Sequence, residues 1–283
     1  VHKELNMDLW RPSAFSAEFG HLEHPVVNTK TGKSIVVPLK SFWDGFENLG
    51  LRLTEPETGL PMLLKLKDWP ADNDLSHYLP TRFADLMKHL PLKGYTQREV
   101  RYNLASFMPD FFARPDLGPK MYIAYGNALY PHTGTTNLHI DMSDACNVIV
   151  YVGIPNDGDR EAHIGEGLKS VEEADCDPVL KARVRRVNPV VGAIWHIFHP
   201  RDADKIRDFL NKVSLEKGKK IEPNTDPIHD QLHYLDSKLR KRLYAEYGVE
   251  GYAYPQCAGD VVFIPAGAPH QVFIFFEIYI LCI

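Results

Sequence analysis

Short runs of β-branched and aromatic residues, each bounded by Gly, Pro, Asn or Asp, recur along the chain. Such runs predict strands. They fall at 34–39, 62–66, 121–126, 146–154, 190–198, 251–257, 260–266 and 270–276. Between them the apolar spacing changes to that of helices. Phe83, Leu86 and Leu90 predict a helix over 81–90, and the polar segment 155–189 holds another within 169–187. Ala203, Ile206, Phe209, Leu210 and Val213 share the apolar face of a helix near 202–213. Ile228, Leu232, Leu235, Leu239 and Leu243 share the face of a single helix over 228–247. The expected class is β-rich α+β. Many short strands separated by tight turns point to a barrel or jelly roll with helices around it.

The chain has 283 residues, enough for one large domain or two modest ones with a substantial core. It shows no internal repeat or low-complexity linker. A net charge of -5 offers no basic field for nucleic acid, so strong DNA binding is not expected. Arg183, Arg185 and Arg186 read as a solvated face. The N-terminal stretch is polar and lacks the apolar region of a signal peptide, and no apolar run reaches the roughly 18 residues of a membrane span. Membrane partners are therefore not expected. Cys146, Cys176, Cys257 and Cys282 form no C-x-x-C pair and read as reduced thiols of an intracellular protein.

Candidate chemistry concentrates in "TTNLHIDMSDACNVIVYVG", residues 135–153. Side chains two apart on a strand point the same way, so His139 and Asp141 can reach one ion. An imidazole and a carboxylate are two of the three ligands of the facial triad that binds non-haem Fe(II). His270 follows the turn Pro-Ala-Gly-Ala-Pro and opens a strand in "GDVVFIPAGAPHQV", which makes it the candidate third ligand. The same His-x-acid spacing at His2 and His21 has no strand behind it. His196 reads as a half-buried strand residue. His229 and His233, four apart, read as solvated helix residues, because the glutamate of a zinc-binding H-E-x-x-H motif is missing.

"GTTNLHIDMSDACNVIVYVGIP" with "GDVVFIPAGAPHQV" resembles the Jumonji C (JmjC) domain of 2-oxoglutarate oxygenases, and especially the lysine-specific demethylase 3 family. "LKLKDWP", "PTRFADLMKHLP", "NLASFMPDFFARPDLGPKMYIAYG", "DPIHDQ" and "LRKRLYAEYGVEGYA" carry the likeness across roughly residues 5–272. The resemblance implies a double-stranded β-helix, a cupin-like jelly-roll barrel. Residues 1–120 would form its N-terminal extension, and 121–283 the barrel with a helical insertion. It implies Fe(II) held by His139, Asp141 and His270. It also implies that the Thr136 hydroxyl contacts the carboxylate of the co-substrate 2-oxoglutarate, with Asn147 as a second polar contact and dioxygen at the remaining metal position. The implied activity is removal of mono- and dimethyl marks from lysine 9 of histone H3. The implied partners are the H3 tail and chromatin, the setting is the nucleus, and a homodimer is compatible. A JmjC protein hydroxylase and a catalytically impaired chromatin scaffold remain as alternatives.

One departure from the family stands out. Relatives place a cation ten residues after the last histidine ligand, to pair with the distal carboxylate of 2-oxoglutarate. Here that position is Ile280, and no Lys or Arg follows Arg242. The stretch 273–283 is an atypical, apolar tail that would be aggregation-prone if exposed. The expectation is weakened 2-oxoglutarate binding, unless a cation from elsewhere or Tyr and Thr hydroxyls do the work.

Overall fold

A computed structural model describes residues 4–70, 74–109, 111–112, 118–126, 136–154, 159–187 and 190–283. Its strands are β1 (Glu23–Asn28), β2 (Ser34–Pro38), β3 (Leu64–Trp69), β4 (Lys120–Ala124), β5 (Thr136–His139), β6 (Ala145–Gly153), β7 (Val191–Ile197), β8 (Tyr252–Cys257), β9 (Val261–Ile264), β10 (His270–Ile274) and β11 (Glu277–Cys282). Its helices are α1 (Met7–Trp10), α2 (Pro12–Phe19), α3 (Leu39–Glu47), α4 (Leu75–Tyr78), α5 (Pro80–His89), α6 (Lys93–Thr96), α7 (Arg160–Glu173), α8 (Pro178–Val187), α9 (Ala203–Glu216) and α10 (Ser237–Tyr247).

Two sheets face one another. The larger runs β2-β1-β3-β4-β11-β6-β9 and the smaller β5-β10-β7-β8. Every strand pairing among the described residues is antiparallel. Alternation along β4 shows how the large sheet serves two cores. Met121 and Ile123 point into the aromatic N-terminal layer, whereas Tyr122 and Ala124 point between the sheets. Gly192 lets the sheets approach closely, since a Cβ there would lie 2.8 Å from Val152 and 2.9 Å from Ile278. Helices α9 and α10 cover β5 and its surroundings through Leu138, Phe209, Leu210 and Leu243.

Several expected elements differ in the structure. The single helix over 228–247 is not formed, and only α10 is helical there. Residues 232–236 lie outside any helix, because their backbone is used elsewhere. Leu138 donates to the His233 carbonyl (2.8 Å), and the side chain of buried Gln271 holds both the N–H and the C=O of Leu235 (2.8 Å each). Asp236 then caps α10 by accepting from the Leu239 N–H. Ile228 and Leu235 still reach the core, but Leu232 is exposed. His233 is therefore buried, with Nε2 3.0 Å from the Ser214 hydroxyl, and is not a solvated helix residue. The helix expected within 169–187 splits at Asp175, which takes a left-handed φ of 59°. The strand expected at 62–66 lies at β3, and α1 to α4, α6, β1 and β11 had no counterpart in the sequence pattern.

The tail changes the picture most. Residues 277–282 form β11, buried between β4 and β6 at the centre of the large sheet. Tyr279 enters the aromatic layer. It stacks on Tyr151 at 4.8 Å and meets Trp43 edge-on at 5.3 Å. Glu277 pairs with Arg52, and both side chains are buried. The tail is thus an interior wall, with little surface to offer for aggregation.

His196 is 3% exposed, so it is buried and not half-buried as expected. Burial first, and the Arg240 charge second, push it from 6.5 down to about 3. A depressed folded-state value means that its contribution is intact above 6.5 and is lost as the pH falls towards 3, because only the unfolded chain takes up the proton. Between pH 7 and 5 the loss is about 2 kcal/mol. Urea unfolding at both pH values should show that His196→Leu reduces the acid-induced loss by about this amount. Equal losses in parent and variant would contradict it.

Candidate metal centre

His139 ends β5 and His270 begins β10, and the two are directly opposite in the antiparallel register. Their ring centroids are 4.1 Å apart. Asp141 lies two residues beyond the end of β5, so the pair expected on one strand is divided between a strand and the loop after it. Gly267 positions this loop. It sits in the Pro-Ala-Gly-Ala-Pro turn at a φ of 72°, conformational space that favours glycine. Its N–H donates to the Asp141 carbonyl at 2.9 Å. The Asp144 carboxylate accepts from the Ala266 N–H at 2.7 Å and ties the two loops a second time.

His270 Nε2 stands 3.6 Å from Asp141 Oδ2. One potential ligand atom from each of His139, Asp141 and His270 lies within 4.8 Å of the others, somewhat wider than the roughly 3–4 Å that ligation distances require. Backbone carbonyls fix both rings. Nδ1 of His139 lies 2.9 Å from the Asn137 carbonyl, and Nδ1 of His270 lies 2.9 Å from that of Ala268. With Nδ1–H donated, Nε2 of each ring is the lone-pair nitrogen aimed at the common point. Burial, and next the His139 ring, push His270 below the ordinary histidine range, which favours the neutral, ligating form. Trp195 stacks on His270 with centroids 6.0 Å apart, and its Nε1 donates to buried Gln256 at 2.6 Å.

Thr136 is three residues before His139, a spacing that points to opposite faces in a regular strand. The register removes the conflict. His139 faces His270 but Thr136 faces Val272, so β5 holds one extra residue in a β-bulge. Thr136 and His139 consequently line the same cavity, of about 1150 Å³. Asn147 reaches that cavity from the facing sheet, on β6. Strand parity with His139 is therefore not what brings it there. The sequence reasoning missed Trp195 and Gln256. Alternation in "IWHIF" signals that Trp195 and His196 take opposite faces, and Trp195 is the inward one.

Among the described residues, the other histidines do not join the centre. His21 and His229 are exposed, and His196 and His233 are buried elsewhere. His2 lies outside the described residues. Among the described residues, no helix is long and apolar enough to cross a membrane.

Residues 190–275 match the family described as "JmjC domain, hydroxylase". The chain is 55% identical over 273 residues to "Lysine-specific demethylase 3" of Drosophila melanogaster, covering 96% of this chain and 32% of that protein. It is 52% identical over 277 residues to "Lysine-specific demethylase 3A" of Gallus gallus, covering 96% of this chain and 20% of that protein. The human protein of the same name is 50% identical over 276 residues, again with 96% and 20% covered. The chain thus spans a third or less of the length of these relatives. Residues 190–275 are similar to a JmjC domain, and the chain is similar over nearly its whole length to the lysine-specific demethylase 3 proteins.

Proposed function

We propose that this chain is the single catalytic domain of an Fe(II)- and 2-oxoglutarate-dependent lysine demethylase. Its substrate would be mono- and dimethyl lysine 9 of histone H3, in nuclear chromatin. The observation that carries the reading is the convergence of two imidazoles, held by backbone carbonyls, with the Asp141 carboxylate at the wall of a cavity of about 1150 Å³. Two neutral nitrogens and one carboxylate suit a non-haem Fe(II) ion that keeps positions open. The double-stranded β-helix reading is supported by the strand order, with β4-β11-β6-β9 facing β5-β10-β7-β8.

When bound, iron and 2-oxoglutarate supply the oxidising chemistry that releases an N-methyl group as formaldehyde. The chain's own part is positional. His139, Asp141 and His270 would hold the metal, Trp195 and Gln256 keep the His270 ring in place, and Thr136 and Asn147 offer hydrogen-bonding groups to the co-substrate. Ile264, Ile274 and Ile280 give the cavity an aliphatic wall around them.

The test is anaerobic titration of the Fe(II)-loaded protein with 2-oxoglutarate, followed by metal-to-ligand charge-transfer absorbance. Incubation in air with a dimethyl-lysine H3 peptide follows. The expected result is a charge-transfer band, then formaldehyde and succinate in equal amounts. Succinate with a hydroxylated peptide and no formaldehyde would favour the hydroxylase reading. No band would sink both.

A further inference from the structure

One buried amide connects the two sheets beside the metal centre. Gln256 on β8 stands opposite Ala193 in the β7 register, and neither is exposed. Its side-chain oxygen accepts from Trp195 Nε1 at 2.6 Å. Its Nε2 donates to the carbonyls of Asn147 at 3.1 Å and Asp260 at 3.2 Å. An indole only donates and a carbonyl only accepts, so the amide fits one way round. Trp195 in turn lies against the ring of His270. Gln256 therefore ties the small sheet, next to a candidate metal ligand, to β6 of the large sheet at Asn147.

The amide is itself fixed by the turn that follows it. The N–H of the Gln256–Cys257 peptide donates to the Asp260 carboxylate at 2.9 Å, and the Asp260 N–H donates to the Cys257 carbonyl at 2.9 Å. Gly259, at a φ of 82°, shapes the turn and donates to the Ile149 carbonyl of β6 at 2.8 Å. The other oxygen of the Asp260 carboxylate accepts from Arg183, on α8. Two residues on, Arg185 instead pairs with Glu172 of α7 at 2.6 Å. Val184, between them, packs in the apolar cluster that holds Ala253 and Cys257 of β8. A displaced Asp260 would release the Gln256 peptide and one of the two carbonyls that hold its side chain together.

We propose that α8 positions the metal ligand His270: Arg183 fixes Asp260, Asp260 fixes Gln256, and Gln256 fixes Trp195 against the ligand ring. The proposal rests on the metal-centre reading above, and its test separates the two. A chain of contacts carries a change only if disturbing one end moves the other. The probe is Co(II) alone, whose visible ligand-field bands report the arrangement of its ligands. It is titrated into the metal-free parent, Gln256→Met, Arg183→Met, Arg183→Lys, Val184→Ala and Asp141→Ala proteins. Gln256→Met should shift the bands and weaken Co(II) about 10-fold, the lower end of the loss from changing groups that orient a ligand. Arg183→Met should shift the bands the same way and weaken Co(II) by about 3-fold, less because more contacts intervene. Arg183→Lys should give parent bands, since an ammonium keeps the charged bond to Asp260. Val184→Ala loosens α8 through packing alone, so it should lower the urea midpoint and leave bands and affinity unchanged. Parent-like bands and affinity in Gln256→Met overturn the proposal, as does an Arg183→Met protein that behaves like Val184→Ala. If Gln256→Met does not fold, the Arg183 pair decides: shifted bands in the methionine variant with parent bands in the lysine variant support the proposal, and identical bands in both overturn it. A parent without Co(II) bands, or Asp141→Ala bands that match the parent, overturns the metal-centre reading and the proposal with it.

Discussion

Asp141→Ala should eliminate iron-dependent turnover and leave the fold standing. The carboxylate is the charged member of the candidate triad, and without it two neutral imidazoles face the ion. Changes to groups that merely orient a metal ligand cost about 10–100-fold, so removing a ligand should cost at least about 100-fold. The structural cost should be small. The Asp141 side chain is 38% exposed, and the loop is held through its backbone carbonyl by Gly267, a bond that alanine keeps. Urea unfolding should therefore shift by no more than about 1 kcal/mol. Formaldehyde release at saturating iron and peptide is the measurement. Turnover above a tenth of the parent would remove Asp141 from the metal centre.

The second large effect concerns stability. Arg52→Met should destabilise the protein by about 3–5 kcal/mol, because it strands the Glu277 carboxylate in the core. Burial raises the Glu277 pKa, and the Arg52 charge opposes that rise. Arg52 also donates to the Gly45 carbonyl at 3.0 Å and lies 4.2 Å over the Tyr125 ring. Glu277→Leu alone should cost a similar amount by leaving the guanidinium unpaired. The double variant Arg52→Met/Glu277→Leu should recover most of the loss, since an apolar pair avoids desolvating either charge. A urea double-mutant cycle reads this directly. Single losses below about 1 kcal/mol would mean that the pair is hydrated or dispensable.

The strands β4, β6, β7, β8, β9 and β10 were legible because each is a short run rich in β-branched and aromatic residues between turns. The helical face of α9 was equally plain. The N-terminal helices were hidden: Trp10, Phe15 and Trp43 are fully buried, but their segments are short and interrupted by polar residues. The spacing of Ile228, Leu232 and Leu235 suggested a helix although the backbone there bonds to β5 and Gln271. Periodicity registers side chains, not where carbonyls find donors. For the candidate site, His139, Asp141 and His270 stood out because of the strands and turn around them. Their meeting depends on cross-strand register, which no local pattern encodes. The bulge that turns Thr136 inward and the passage of Asn147 to the opposite wall were invisible for the same reason.

The position of β11 also shapes how the chain can fold. Strands β4 and β6 are held apart by a strand that comes later in sequence than every other element of either sheet. Until it inserts, both present open edges, and the aromatic layer lacks Tyr279. Such non-local closure is slow, and intermediates waiting for it expose sticky backbone. Solubility during synthesis should therefore be limited by the arrival of these few residues more than by the stability of the finished protein. Changes confined to β11 would then show first as lost yield, well before any lost activity.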